Sequence, residues 1–192
     1  MAKKVQIDVK PYIKNNRIYV PLRFIAETFE CKVSYSNATV RIDTAPLLID
    51  GIAVKAFQQE YHMIMGGVVQ QIKGNAYHEA LYRVFEQNKG KKIDEPANYA
   101  WRLNLDDPGA YYKNGQFEFL DEKGTSLKRF DIYSLQSAAP EGTLSEYPQI
   151  VVHEYDENQW YEFNRSAQES IEQLINTASM NGFLTIISDT VA

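Results

Sequence analysis

Short runs that alternate apolar and polar residues meet across tight turns along most of this 192-residue chain, and that pattern limits the fold more than any other feature. Val5-Gln6-Ile7-Asp8-Val9 has the alternation of a half-buried strand. Residues 13–20 read as a hairpin turning at Asn15-Asn16, since asparagine tolerates the positive φ of a type I′ turn. Val33-Ser34-Tyr35 and Thr39-Val40-Arg41-Ile42 flank Ser36-Asn37-Ala38 as a second hairpin, and Leu47-Leu48-Ile49 and Ile52-Ala53-Val54 flank Asp50-Gly51 as a third. Further on, residues 117–120 and 127–133 face each other across 121–126, and residues 150–155 and 160–163 across 156–159. Residues 65–72 and 183–187 read as further strands, 91–96 and 137–148 as loops.

Three segments switch to helical spacing. Pro21 suits a first helical position, and Leu22, Ile25, Ala26 and Phe29 follow as one apolar stripe, which predicts a helix over 21–30. Asn75 is placed to cap a helix over 75–89 with Tyr77, Leu81, Val84 and Phe85 on one face and Gly90 after its end. Ser166-Ala167-Gln168-Glu169 has the spacing of a capping box for a helix over 166–181, with Ile171, Leu174, Ile175 and Ala178 inward and Gly182 closing it. The expected fold is α+β, with antiparallel hairpins packed on three helices.

Composition excludes some classes. Thirteen Tyr, nine Phe and two Trp are too much aromatic surface to leave in water, so the chain is expected to fold rather than stay disordered. No apolar run approaches the roughly 18 residues of a membrane span, so no membrane insertion is expected. Residues 1–45 hold eight Lys or Arg against four acids and the remainder twelve against twenty-one, which splits the net charge of -5 into about +4 and -9. The acidic bulk argues against nucleic acid as a partner. A single cysteine, Cys31, rules out an intrachain disulfide.

Candidate chemistry is thin. His62-Met63-Ile64-Met65 offers soft donors, but the same alternation sends Tyr61, Met63 and Met65 into a core, and that reading is preferred. His153-Glu154 with Asp156 and Glu157 falls in a turn, where solvation accounts for the acids. His-Glu-x-x-His, Gly-x-Ser-x-Gly and phosphate-loop patterns are missing, and Gly66-Gly67 alone does not make one. Cys31 follows a helix rather than opening one, so nothing activates its thiol. No catalytic residue, metal ligand or cofactor is therefore assigned. Tyr155, Trp160 and Tyr161, flat rings beside a turn, are the candidate ligand-binding residues. Adjacent strand residues face opposite ways, so Trp160 or Tyr161 is expected in the core.

One stretch carries a family resemblance. Asn16-Arg17-Ile18-Tyr19-Val20-Pro21-Leu22-Arg23-Phe24-Ile25-Ala26-Glu27, followed by the 33–42 hairpin, resembles the copper amine oxidase N-terminal-domain family, with Tyr35 where Trp is usual. The resemblance implies a small sheet on one helix, found in secreted and cell-surface bacterial proteins, that holds none of the oxidase chemistry. An oxidase also needs a quinone-forming Tyr beside an acid and three copper-binding His. Asn98-Tyr99-Ala100 lacks the acid, and His62, His78 and His153 lie on separate elements. Two regions are expected, a module over 1–55 and an α+β region over 56–192, the first too poor in apolar residues to stand without sharing a core. The expectation is a non-catalytic secreted or surface accessory module that recognises a protein or cell-wall polymer, its signal peptide lying outside this sequence. The alternatives are a hydrolase with its active site in 56–192 and a purely structural spacer.

Overall fold

The computed structural model describes residues 10–28, 31–63, 65–102, 109–136 and 147–191. Internal contacts divide the chain into Met1–Ala45 and Pro46–Ala192, ten residues before the expected boundary. The expected strand at 5–9, the side chain of Phe29 and the loop centre at 137–146 lie outside the described residues.

In the first unit, β1 (Tyr12–Lys14) and β2 (Arg17–Tyr19) form the expected hairpin, with Asn15 and Asn16 at φ 50° and 58°. Helix α1 (Leu22–Thr28) follows, then the hairpin of β3 (Lys32–Ser36) and β4 (Thr39–Asp43). The expected inward stripe of α1 is corrected. Leu22 and Ile25 are 49% and 40% exposed, and Ala26 is the one buried residue among those described in this unit. Two short hairpins and a seven-residue helix offer too little surface to close over larger side chains.

In the second unit the hairpin of β5 (Leu48–Ile49) and β6 (Ile52–Ala53) comes first, turning at Asp50-Gly51 with both φ angles positive. A nine-stranded sheet follows. Its strands are β7 (Ala56–Met63), β8 (Gly66–Ile72), β9 (Lys92–Ile93), β10 (Tyr99–Ala100), β11 (Tyr111–Leu120), β12 (Ser126–Leu135), β13 (Ile150–Glu154), β14 (Gln159–Phe163) and β15 (Leu184–Asp189). The order across the sheet is β15-β8-β7-β11-β12-β13-β14-β9, all antiparallel, and β10 adds to β11 in parallel. Helices α2 (Asn75–Asn88) and α3 (Arg165–Met180) cover one face. Their Leu81, Phe85, Ala167, Ile171 and Ile175 share one core with Phe57, Ile72, Phe119, Phe130, Ile132 and Val152. Phe85 stacks on Phe130 at 4.6 Å. The chain is therefore α+β, built on a largely antiparallel sheet with three helices among the described residues.

Both long-helix starts differ in detail from expectation. Helix α2 has Gly74, not Asn75, at its N-cap, with no side-chain cap. At α3 the cap is Asn164: its Oδ1 accepts from the Ala167 N–H and the Ser166 hydroxyl, both at 2.7 Å, so Ser166 serves the cap instead of being it. Asn caps about as well as Ser, and the chain enters the helix directly from β14, which ends at Phe163 and leaves Asn164 at the cap.

Candidate functional site

Strand alternation sets the site. Along β13, Ile150 and Val152 enter the core under the helices, and Glu154, two residues on, takes the next position on that face. There β12 places Lys128 two residues from the core residue Phe130, whose register partner is Glu154. Helix α2 supplies Tyr82 and Glu86, four apart on one face, and its C-cap residue Lys89 follows three residues later. Where the core ends, these elements and the β5–β6 turn enclose an open cavity of about 510 Å³. Its walls are almost wholly polar and come from Ile49, Asp50, Tyr82, Glu86, Lys89, Leu127, Lys128, Glu154, Asp156, Glu157 and Tyr161.

Charges alternate along one wall: Glu86, Lys89, Glu154, Lys128, Glu157. Lys89 Nζ donates to Glu86 Oε1 and Glu154 Oε2, each at 2.8 Å. Lys128 Nζ pairs with Glu154 Oε1 and, at 3.2 Å, with Glu157 Oε1. Glu154 is buried, both lysines nearly so, and Glu157 is exposed. Burial alone would raise the Glu154 carboxyl, but the hydrogen bonds and charges of Lys128 and Lys89 outweigh it and hold it below the usual carboxylate range. Burial would lower both lysines, and their carboxylate partners push them above the ordinary ammonium range instead. Lys89 also lies over the rings of Phe130 and Tyr161, at 5.2 and 5.5 Å. Each ammonium has three N–H donors and two carboxylate partners among the described residues, which leaves one donor without a carboxylate there.

The three candidate ring residues do not converge. Tyr161 faces the cavity, whereas Trp160, its neighbour, is buried on the other face of the sheet beside Tyr111, Tyr133 and Val151. Trp160 stacks on His153 at 4.3 Å, and its indole N–H has no partner among the described residues. Tyr155 is exposed, with the Arg129 guanidinium 4.0 Å from its ring centre. The three are one buried ring, one cavity ring and one surface ring, and the member of the Trp160–Tyr161 pair that enters the core is Trp160.

That second face holds its own ion cluster. Asp131 accepts two hydrogen bonds from Arg129 and one from Lys113, all between 2.8 and 3.0 Å. Lys113 sits 4.6 Å from the Trp101 ring centre and is lowered by burial, against the opposing pull of Asp131. Its ammonium is committed to Asp131 and Gln116, which makes the cluster an internal brace.

The metal candidates separate as well. His62 stacks on Trp101 at 4.0 Å and meets Glu60 at 2.8 Å, while Met63 and Met65 are exposed at the β7–β8 turn, which corrects their expected core position. His153 and Glu154 point to opposite faces, as adjacent strand residues must. No group of three or more His, Cys, Asp and Glu fit to hold a metal occurs among the described residues.

Sequence reasoning passed over Lys89, Lys128 and Glu86 and read Glu154 as a solvated turn acid. The available signal was a carboxylate at the third position of an apolar strand face, after Ile150 and Val152.

The family model for the copper amine oxidase N-terminal domain matches residues 1–44. No curated protein and no solved structure shows a significant match to the chain.

Proposed function

We propose that this chain is a non-catalytic accessory module, acting outside the cell, whose second unit binds a polar cell-wall polymer in the cavity beside Glu154. The observation that carries this reading is the charge ladder of Glu86, Lys89, Glu154, Lys128 and Glu157. Acid–base and nucleophilic catalysis need groups poised near neutrality, a protonated carboxyl or a neutral amine. Here the shifts run the other way, with Glu154 fixed as a carboxylate and both lysines as ammoniums. Such a wall is a poor proton shuttle and a good set of fixed donors and acceptors. A cavity of about 510 Å³ has the size of a small-ligand site, and the rings of Tyr82 and Tyr161 supply flat surface. The match of residues 1–44 to a domain of accessory type agrees with such a role.

The test is sedimentation of the protein with purified cell-wall polysaccharide, alongside a hydrolysis assay on the same material. Retention of the wild type, weakened at least about tenfold in Tyr161→Ala, is expected, with no product released. Release of reducing ends or peptides would overturn the non-catalytic reading. Absence of retention on every fraction would overturn the binding one.

A further inference from the structure

The balance of charge and the shortage of apolar wall narrow the ligand. The cavity is lined by five carboxylates, of Asp50, Glu86, Glu154, Asp156 and Glu157, against the two ammoniums of Lys89 and Lys128. Glu154 is saturated by two lysines. Glu86 and Glu157 each give one oxygen to a lysine, and Asp156 gives one to the Arg129 backbone N–H at 2.8 Å. The second oxygen of each of these three has no partner among the described residues, so the wall offers acceptors in excess and invites positive charge. The spare N–H of each lysine invites, in the same space, an oxygen from the ligand. An occupant that satisfies both carries an ammonium together with hydroxyls.

A Lys or Arg side chain of a protein partner brings the charge on an aliphatic stem, which needs apolar wall. Leu127 and Ile49 are the aliphatic lining residues, and nearly all the exposed lining is polar. A sugar ring matches better: hydroxyls around its rim, thin apolar faces to lie on Tyr82 and Tyr161, and a volume that lets one or two rings enter. We infer that the cavity takes an amino sugar with its amine free rather than acetylated, the ammonium meeting Glu157 and its neighbour Asp156 at one end of the charge ladder. This rests on the reading of the cavity as the binding site and names the chemistry of its ligand.

The probe is a matched pair of chitooligosaccharides of equal length, one fully N-acetylated and one fully deacetylated, with an oligolysine peptide as a third ligand. Each is titrated calorimetrically into the full chain at about pH 6, where carboxylates are ionised and an amine carries its proton. Binding of the deacetylated sugar at least about tenfold tighter than its acetylated twin is expected. Glu157→Gln, at an exposed position, should narrow that gap severalfold, and Tyr161→Ala should weaken both sugars. Equal or tighter binding of the acetylated sugar, still sensitive to Tyr161→Ala, would overturn the amine inference and leave the binding reading standing. Tighter binding of oligolysine at the same site would overturn it in favour of a protein partner. Failure of all three ligands and of whole cell-wall fractions would remove the binding reading too.

Discussion

Glu154 is the residue on which the second unit's charge arrangement turns, and its neighbours fix what its loss must cost. Two ammoniums that are nearly buried would face each other with no carboxylate between them. Removing one partner of a buried ion pair costs several kcal/mol because the remaining charge is stranded. Glu154→Gln is therefore expected to lower stability by about 3 kcal/mol in urea titration, while Glu157→Gln, at the exposed end of the ladder, stays within about 0.5 kcal/mol. A loss below about 1 kcal/mol for Glu154→Gln would show that solvent and the remaining partners, Glu86 for Lys89 and Glu157 for Lys128, satisfy the lysines. His78 sets a separate pH dependence. It is buried, its Nε2 lies 2.9 Å from the Ile72 carbonyl, and its Nδ1 has no partner among the described residues. Burial lowers it below its ordinary value of 6.5, and the Ile72 hydrogen bond only partly opposes that. The unfolded chain thus takes up a proton at a pH where the folded chain does not, so stability is full above 6.5 and declines as pH falls below it. His78→Gln should remove this slope, seen as a wild-type minus variant stability difference that shrinks between pH 6.5 and about 5. A difference that does not change with pH would refute the assignment. Glu154 adds a lower window. Held below its ordinary 4.5, it contributes stability above that value that disappears as pH falls through its folded value. None of this was visible from residue types alone. His78 sits one residue after Tyr77 on a helix with a clear apolar face, and Glu154 follows two core residues of its strand. The positions were legible as inward-facing, but which partners would neutralise them depended on α2 crossing the end of β13.

Among the elements, turns were the most legible, because their backbone angles depend on one or two residues. Asn15-Asn16 and Asp50-Gly51 hold positive φ at both positions, as their residue types favour. The second hairpin is the exception. Its turn is Asn37-Ala38, with Ala38 at φ 60°, a left-handed angle that its Cβ resists. Ala38→Gly should relieve this and stabilise the β3–β4 hairpin by about 1 kcal/mol. Slower amide hydrogen exchange confined to residues 32–43 is the expected readout, and unchanged exchange there would contradict it. The start of α3 was read one signal too late. Ser166 and Glu169 have capping-box spacing, but Asn164 reaches the Ala167 N–H first and takes the Ser166 hydroxyl as well. Asn164→Ala should cost about 1 kcal/mol, since α3 lends Ala167, Ile171, Ile175 and Ala178 to the core and its fraying loosens them. Ser166→Ala should cost less, and the reverse order in thermal unfolding would restore the capping box. The strands β9 and β10 were not legible, being two residues each, too short for any alternation to register.

For the molecule as a whole, the distribution of buried residues decides which part can stand by itself. Every member of the two buried clusters lies within Pro46–Ala192, from Ile49 to Ala178. The nine-stranded sheet, both long helices and the ion ladder belong to the same span. Met1–Ala45, by contrast, leaves Tyr12, Ile13, Ile18, Leu22, Tyr35 and Val40 each more than 45% exposed, with Ala26 its one buried residue among those described. Apolar burial supplies the favourable side of folding at about 25 cal/mol per Å², so a unit whose described large side chains are mostly exposed draws little stability from their packing. The shared charge asymmetry is consistent with two separately composed regions, one basic and one acidic. A fragment of residues 46–192 is therefore expected to unfold cooperatively in urea with a midpoint within experimental error of the full chain. Residues 1–45 alone are expected to show no cooperative transition. The slope of the transition for the long fragment should also stay close to that of the whole chain, since the slope follows the surface exposed on unfolding and nearly all of that surface comes from residues 46–192. A fragment that aggregates, or whose midpoint drops markedly, would mean that the first unit lends the second a stability its own buried residues do not account for.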